Sequence, residues 1–459
     1  MSGVTDRAAA RPASGGKLRP EWMSGEHGLP VARYIDPEFA KLEAERLWPR
    51  VWQMACRLDE LRDPGDYVVY EIIDQSVLVV RADATTIKAY HNVCPHRGTA
   101  LASGSGRFQL ETMTCPFHGW KWNLKGESTF VLSPEEFKGG CLTAEELRLH
   151  EVKLAIWMGS VWINLDPDAQ PFEDFIAPIK ALVDPLLLDR MQFYWHKQIV
   201  ANANWKIAQE AFMESYHVAT THPQITGPMK AVDFNSKTDY VTFSGGHGLF
   251  YSPSTGGVGG LASKTAAVMS QADRAEMLIK SLNVVYEGHD SQVHADDVDV
   301  ARTMRHREIP EGVSVGAAFQ TVLREHFAAQ GRAIGSPEAL AAVTDMNIFP
   351  HIVFLPTFGN LLMYRVRPTR TNDPDWCIFD MYAVRSYPEG VTPPRWETEI
   401  CTDAEDPAQL QLIPRQDFIN VPRQQKGLHS KAIQSTLLSG RQEKMILNMH
   451  RELDRYLAD

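Results

Sequence analysis

Apolar and polar residues alternate along Tyr67-Val-Val-Tyr-Glu-Ile-Ile and Ser76-Val-Leu-Val-Val-Arg, the period-two pattern of strands, with Asp74-Gln75 between them as a turn. Thr86 to His91, Thr112-Met113 and Trp157 to Asn164 add further strand-like runs. Residues 48–166 therefore read as a small all-β domain that exits through Pro167 to Pro171. Ahead of it, Pro37 to Trp48 has helical periodicity, and residues 36–47 are expected to form a helix packed on the larger domain that follows. Residues 1–35 are rich in Gly, Ala, Ser and Arg without an apolar core segment, which predicts a mobile tail and no secretory signal.

From Phe172 onward the two periods mix. Tyr240 to Tyr251, Asn347 to Pro356, Leu361 to Arg367 and Cys377 to Arg385 read as strands, while Ala318 to Gln330 and most of Val421 to Leu457 read as helix. Residues 167–459 thus form an α+β domain, expected as a curved antiparallel sheet flanked by helices. Residues from about 260 to 342, after the Gly256–Gly260 loop, read as a helical insertion or lid. The segment Asn204 to His222 contains neither Gly nor Pro and is followed by Pro223, which predicts one helix ending near His222. On such a helix Glu210, Glu214 and His217, at i, i+4 and i+7, share one face.

Composition narrows the class of protein. The 459 residues allow two or three domains, and 44% hydrophobic with 22% charged residues is ordinary for a globular chain. With 46 basic and 57 acidic residues, the net charge of −11 supplies no footprint for nucleic acid. No apolar run reaches the ~18 residues of a membrane span. Six cysteines in a chain of this length make no disulfide framework. Cys56, Cys141, Cys377 and Cys401 are scattered and read as ordinary thiols, consistent with a cytoplasmic protein.

The other two cysteines carry chemistry. Cys94-Pro-His96 is followed, after 18 residues, by Cys115-Pro-Phe-His118, and a Gly follows each His closely. Two thiolates and two imidazoles on paired short loops suit either a tetrahedral zinc or a [2Fe–2S] cluster with two histidines on one iron. Zinc fingers usually pair Cys with Cys and His with His, whereas each loop here supplies one of each, which is the Rieske arrangement.

With these motifs the chain resembles, over about residues 35 to 457, the large (α) subunit of Rieske non-heme iron aromatic-ring-hydroxylating oxygenases. The resemblance rests on the Rieske pair, the segment Asn204-Trp205-Lys206 to Glu214-x-x-His217-x4-His222, and a C-terminal Asp, in the family's order. It implies that Cys94 and Cys115 bind one iron of the cluster and His96 and His118 the other. Thr99 and Phe117 stand where respiratory Rieske proteins carry disulfide cysteines, which implies the lower-potential type fed by a ferredoxin or flavin reductase. His91, Trp120 and Trp122 are expected to shield the cluster.

The resemblance also makes His217 and His222 ligands of a mononuclear Fe(II). Asp417, eight residues before Gln425 and ten before Gly427, is the expected third ligand, with Asp403, Glu405 and Asp406 as competitors. Glu214 is expected to bridge His217 to His118 of a neighbouring subunit, the route for electrons. Ring dioxygenases usually have Asp there, and Glu resembles some oxygenases of quaternary amines. Glu210 replaces a common Asn and is expected near iron as a charge, a proton relay or a weak ligand. Phe212, Met213, Phe250 and Phe354, with Phe349 and Phe358, are candidates for an apolar substrate pocket.

The implied function is the terminal component of a multicomponent oxygenase. It would take O₂ and electrons from NAD(P)H, through a reductase or ferredoxin, to dihydroxylate an aromatic or other hydrophobic small molecule. Alternatives are a monooxygenase or an N- or O-demethylase, including one acting on an amine, and an electron-transfer or metal-binding protein without oxygenase activity. A homotrimer, α3 or α3β3, is expected, with neither nucleic acid nor membrane as partner.

Overall fold

The computed structural model describes residues 17–458 except 138, 140, 228–230 and 252–268. The alternating runs form the expected hairpin, Asp66–Ile72 against Gln75–Arg81, with Val69 opposite Leu78. Its turn lies one residue earlier than the sequence suggests, at Ile73 and Asp74, since Ile72 already pairs with Gln75. Ile87–His91 and Ser105–Arg107 extend this to four strands. The stretch Trp157 to Asn164 is not one strand. Lys153–Trp157 and Ser160–Asn164 form a hairpin turned by Met158 and Gly159, at φ 57° and 66°, a pair of positive angles that suits the strand twist. Gln53–Arg57 pairs with this hairpin. A third small sheet, Thr112–Thr114, Lys121–Asn123 and Ser128–Phe130, holds the second Cys/His loop between its first two strands.

The larger domain is built on one sheet of eight strands. Their order is Asp239–Thr242, Gly248–Tyr251, Asp345–Ile348, Ile352–Pro356, Asn360–Pro368, Cys377–Arg385, Gln192–Ala201 and Glu399–Cys401. Only the last pairing is parallel. Two expected strands are hairpins, Tyr240 to Tyr251 and Asn347 to Pro356. The ten-residue strand Gln192–Ala201 escapes the sequence pattern because polar residues sit inside it. His196 bonds Asp380 and Lys197 donates to the Gln409 carbonyl, so both polar side chains are buried with partners and the strand shows no clean alternation.

The two faces of this sheet separate two cores. Val353, Leu362, Tyr364 and Phe379 face the Trp205–Glu210 helix and the C-terminal helix Lys444–Ala458. Ile352, Phe354, Leu361 and Met363 face the helix Phe172–Val183 and the inserted helices. The insertion contains Gln271–His289, Ala295–Arg302, Val315–Ala329 and Pro337–Ala342, and it buries Leu278, Leu282, Phe319 and Phe327 in that second core. The Gly256–Gly260 loop lies outside the described residues.

Residues 17–35 do not behave as the tail expected from composition. Trp22, Leu29, Val31 and Tyr34 are buried in the first core. The Arg33 guanidinium, 1% exposed as a residue, pairs with Asp454 and donates to His450 Nδ1 at 2.9 Å. Their partners lie on a helix more than four hundred residues away, beyond any local pattern.

Candidate metal centres

The two Cys/His loops are built alike. Gly98 N–H donates to the Cys94 carbonyl and Gly119 N–H to the Cys115 carbonyl, at 2.9 and 3.0 Å. Both glycines hold positive φ, 81° and 71°, a region that costs any residue with a Cβ. The turn around each glycine tucks the cysteine inward, each thiol residue being 2% exposed, and leaves His96 and His118 half-buried at the tip. The imidazole centroids are 4.8 Å apart, and His96 stacks on Trp120 at 4.6 Å. Trp120 and Trp122 are buried, and Trp122 Nε1–H donates to the Leu147 carbonyl. Two cysteines and two histidines on paired loops are the donor set of a two-iron cluster with both imidazoles on one iron.

The segment Asn204 to His222 is not the single helix that its composition predicts. Asn204 caps a helix that runs only from Trp205 to Glu210. The Ser215 N–H then bonds the Tyr240 hydroxyl, and the Glu214 carboxylate accepts from the His217 N–H, so side chains take donors that a continuing helix would need. Short helices Val218–Thr221 and Pro223–Thr226 follow, with His222 between them. The face shared by Glu210, Glu214 and His217 is therefore lost.

What replaces it is a compact set of donors. Single ligand atoms of His217, His222 and Asp417 all lie within 4.8 Å of one another. Asp417 Oδ1 is 2.9 Å from His222 Nε2 and 3.7 Å from His217 Nε2. The second nitrogen of each imidazole is already engaged. His217 Nδ1 lies 2.7 Å from Glu214 Oε1, and His222 Nδ1 lies 2.9 Å from Gln416 Oε1. Hydrogen bonds donated by the two Nδ1–H groups leave both Nε2 atoms bare toward Asp417, the tautomers a metal requires. Two imidazoles and one carboxylate on one side of a point are the donor set of an open-sided ferrous site. Burial works to lower the His217 pKa, but Glu214 and Asp417 outweigh it and raise it, as a site built for positive charge should.

Asp417 and Gln416 come from the helix Leu412–Leu428, whose Gln425 accepts from the Asn204 N–H and so locks the two segments together. Gln416 was invisible to sequence reasoning, which singled out only its neighbour. The competing carboxylates Asp403, Glu405 and Asp406 lie in a surface loop, where Asp403 and Asp406 accept backbone N–H bonds.

Glu210 is not brought to this set. Its carboxylate accepts from the Tyr34 hydroxyl at 3.0 Å and lies 2.6 Å from His450 Nε2. Arg33 Nε–H occupies His450 Nδ1, so it is Nε2 that carries the proton toward Glu210. Beside it, Lys206 is sealed in a buried pair with Glu43 at 2.8 Å. Burial pushes Glu210 up to about 8, although Tyr34, Lys206 and Arg33 pull it down.

The pocket candidates divide between the two faces of the sheet. Phe212 packs on Tyr364 at 4.3 Å and on Phe379 at 5.3 Å, and Phe250 on Tyr240 at 5.5 Å; with Met213 they share the face of the donor set. Phe354 points to the opposite core with Met346 and Met363, its strand partners. Phe349 stacks on Tyr456, and Phe358 packs on Phe319. Phe354 and Phe358 thus belong to the second core, and Phe349 to the first.

Comparison with known proteins gives the family. Residues 188–459 match the ring hydroxylating alpha subunit (catalytic domain) family, and residues 51–138 match the Rieske [2Fe-2S] domain. The chain belongs to the ring-hydroxylating oxygenase alpha-subunit family. It is 30% identical over 228 residues to the glycine betaine monooxygenase oxygenase subunit of Chromohalobacter salexigens, covering 49% of each chain. It is 31% identical over 201 residues to the carnitine monooxygenase oxygenase subunit of Escherichia coli, covering 42% of this chain and 52% of that one. The chain thus spans about half the length of the curated relatives it matches. Its fold is that of naphthalene 1,2-dioxygenase with bound indole, at TM-score 0.66 and 18% identity over 97% of this chain and 95% of that one.

Proposed function

We propose that this chain is the terminal oxygenase of a multicomponent system and that it inserts one oxygen atom into a small amine. The observation that carries the proposal is the set His217, His222 and Asp417, with the spare imidazole nitrogens tied to Glu214 and Gln416. Ferrous iron bound there would supply the site of O₂ activation. This chain's residues do the rest. Glu214 and Gln416 fix the imidazoles, Cys94, His96, Cys115 and His118 hold the cluster, and Phe212, Met213 and Phe250 provide the apolar wall for substrate. Residues 48–166 are the electron-accepting domain and 167–459 the catalytic one.

Electrons come from NAD(P)H through a separate reductase or ferredoxin. The Glu214 carboxylate is bonded to His217, and we assign it as the bridge from there to His118 of a neighbouring subunit in a trimer. Exposed apolar residues support such an interface at both ends, with Leu110 and Phe117 on the cluster domain and Tyr216 and Val232 near His217. Among the described residues no helix is long and apolar enough to cross a membrane, and we place the protein in the cytoplasm.

Amine monooxygenation is preferred over dihydroxylation for two reasons. Glu, not Asp, stands at 214, and relatives 30 and 31% identical over the matched residues are named for glycine betaine and carnitine. Dihydroxylation of an aromatic compound is the second reading, favoured by the Phe212, Tyr364 and Phe379 rings beside the site. Turnover under labelled O₂ with reductase and a panel of methylated amines and aromatic compounds decides between them. One labelled atom in an amine-derived product supports the proposal, and two in a diol overturn it.

A further inference from the structure

The two histidines of the donor set are held by partners of different kinds. His217 Nδ1 faces Glu214 Oε1 at 2.7 Å, and a carboxylate only accepts, so that imidazole carries its N–H on Nδ1. His222 Nδ1 lies 2.9 Å from Gln416 Oε1, which belongs to an amide. Turned over about its last bond, the amide would offer Nε2–H to the same nitrogen. His222 would then carry its own N–H on Nε2, where Asp417 Oδ1, 2.9 Å away, would accept it. An imidazole nitrogen that carries a proton cannot ligate a metal. Asp417 alone therefore favours the tautomer that excludes a metal, and the Gln416 amide decides whether it prevails.

Gln224 holds that amide. It is the second residue after His222, on the short helix Pro223–Thr226, and it reaches across 192 residues to Gln416, the neighbour of Asp417. Its Nε2 donates to Gln416 Oε1 at 2.7 Å, and its Oε1 accepts from Gln416 Nε2 at 3.4 Å. Gln416 Oε1 thus receives two N–H groups, one from His222 and one from Gln224, the arrangement that leaves His222 Nε2 bare. Among the described residues the Gln416 amide has no other hydrogen-bond partner, since Asn420 bonds the backbone carbonyl of Gln416 instead. Both glutamines are half-buried, so enclosure fixes neither. Turning Gln416 alone sets N–H against N–H and oxygen against oxygen. Only a concerted turn of both side chains restores the bonds, with every polarity reversed.

We infer that Gln224 is a positioning residue for the mononuclear metal: acting through Gln416, the direction of its hydrogen bond sets whether His222 presents a bare nitrogen or an N–H. The His217 arm of the site is fixed by a carboxylate, and the His222 arm is adjustable. The inference rests on the oxygenase reading above and concerns how that same site takes up ferrous iron. Two substitutions separate this role from a simple effect of charge. Gln416→Glu supplies an oxygen that cannot turn into a donor, which fixes the metal-ready tautomer. Gln224→Glu supplies an acceptor where a donor stood, which turns Gln416 Nε2–H toward both neighbours and puts the His222 proton where iron must bind. Each adds one negative charge to the same pair of side chains, and Coulomb attraction by itself would make both bind a cation more tightly.

The test is anaerobic competition for ferrous iron between the protein, its cluster intact, and a chromophoric Fe(II) chelator. Gln416→Glu should bind ferrous iron about tenfold more tightly than wild type and Gln224→Glu about tenfold more weakly, the lower end of the range for groups that orient a metal ligand. Gln224→Met, which keeps the length without a strong donor or acceptor, should fall between wild type and Gln224→Glu. Affinities of the two glutamate variants that shift in the same direction, or do not shift, overturn the inference. So does a Gln224→Met chain that binds more weakly than Gln224→Glu. The visible spectrum of the cluster, read on the same samples, shows that each variant is folded, and if one variant fails to fold the ordering of the other two against wild type decides. A wild-type chain that binds no ferrous iron beyond the cluster overturns the oxygenase reading and this inference with it, whereas a loaded wild-type chain matched by all three variants overturns the role of Gln224 alone.

Discussion

Glu214 holds His217 at two points. Its Oε1 lies 2.7 Å from the imidazole Nδ1, and its Oε2 accepts from the backbone N–H of the same residue at 3.0 Å. One carboxylate thus ends the preceding turn and fixes the tautomer of a metal ligand. Glu214→Gln preserves the shape but removes the charge. Turnover should fall roughly 10- to 100-fold, as for other groups that orient a metal ligand, with the cluster spectrum unchanged. Following reoxidation of the pre-reduced cluster in a single turnover tells whether electron transfer has slowed. Reoxidation at the wild-type rate would remove Glu214 from the electron path.

Asp417→Ala should cost the protein about one iron atom per chain and leave the two irons of the cluster in place. Asp417 is 5% exposed and its Oδ1 faces both imidazoles, so no surface carboxylate can substitute for it. Iron analysis together with the visible spectrum separates the two centres. The same measurement on Asp403→Ala and Asp406→Ala should match wild type, and loss of iron in either would return the third ligand to the C-terminal loop.

The parts of these sites that could be read from the chain are those whose ligands lie close in sequence. Cys94 with His96, and Cys115 with His118, are each set by one short turn, and the spacing of His217 and His222 spans a single bend. Gln416, Tyr34 and His450 escaped because they act at a distance, Gln416 reaching His222 across 194 residues and Tyr34 reaching Glu210 across 176. The single helix expected from Asn204 to His222 failed for a related reason. Nothing in its composition breaks a helix, and the break comes from the Tyr240 hydroxyl and the Glu214 carboxylate capturing backbone N–H groups. Alternation alone could not assign Phe354 to a face, since that needs the register of its strand against Met346 and Met363.

Gly98 and Gly119 test whether the cluster loops are pre-formed. A Cβ at either position meets nothing within 4 Å, so the penalty for alanine is conformational and not steric crowding. Gly98→Ala or Gly119→Ala should each cost about 1–2 kcal/mol, the price of a left-handed conformation. The cost should appear as reduced cluster content per chain, measured by acid-labile sulfide, while the mononuclear iron is retained. Full cluster content in both variants would mean that the ligands impose the turn and not the reverse.

Glu210 should make stability depend on pH in a direction opposite to that of most carboxylates. Burial raises it from an ordinary value of 4.5 to about 8, so across that window the folded chain holds a proton that the unfolded chain has released. Folding then takes up a proton, and stability should fall as pH rises from about 5 to about 8 and level off above. Each unit of that window is worth about 1.4 kcal/mol at most, and the hydrogen bonds aimed at the carboxylate by Tyr34 and His450 oppose the effect. Glu210→Gln, neutral throughout, should flatten the slope, gaining roughly 2–4 kcal/mol on wild type at pH 8 relative to pH 5. Denaturant midpoints of the two proteins at both pH values give the comparison. Parallel curves would show that Glu210 is ionised in the fold, held as an anion by the Tyr34 hydroxyl and the His450 Nε2–H.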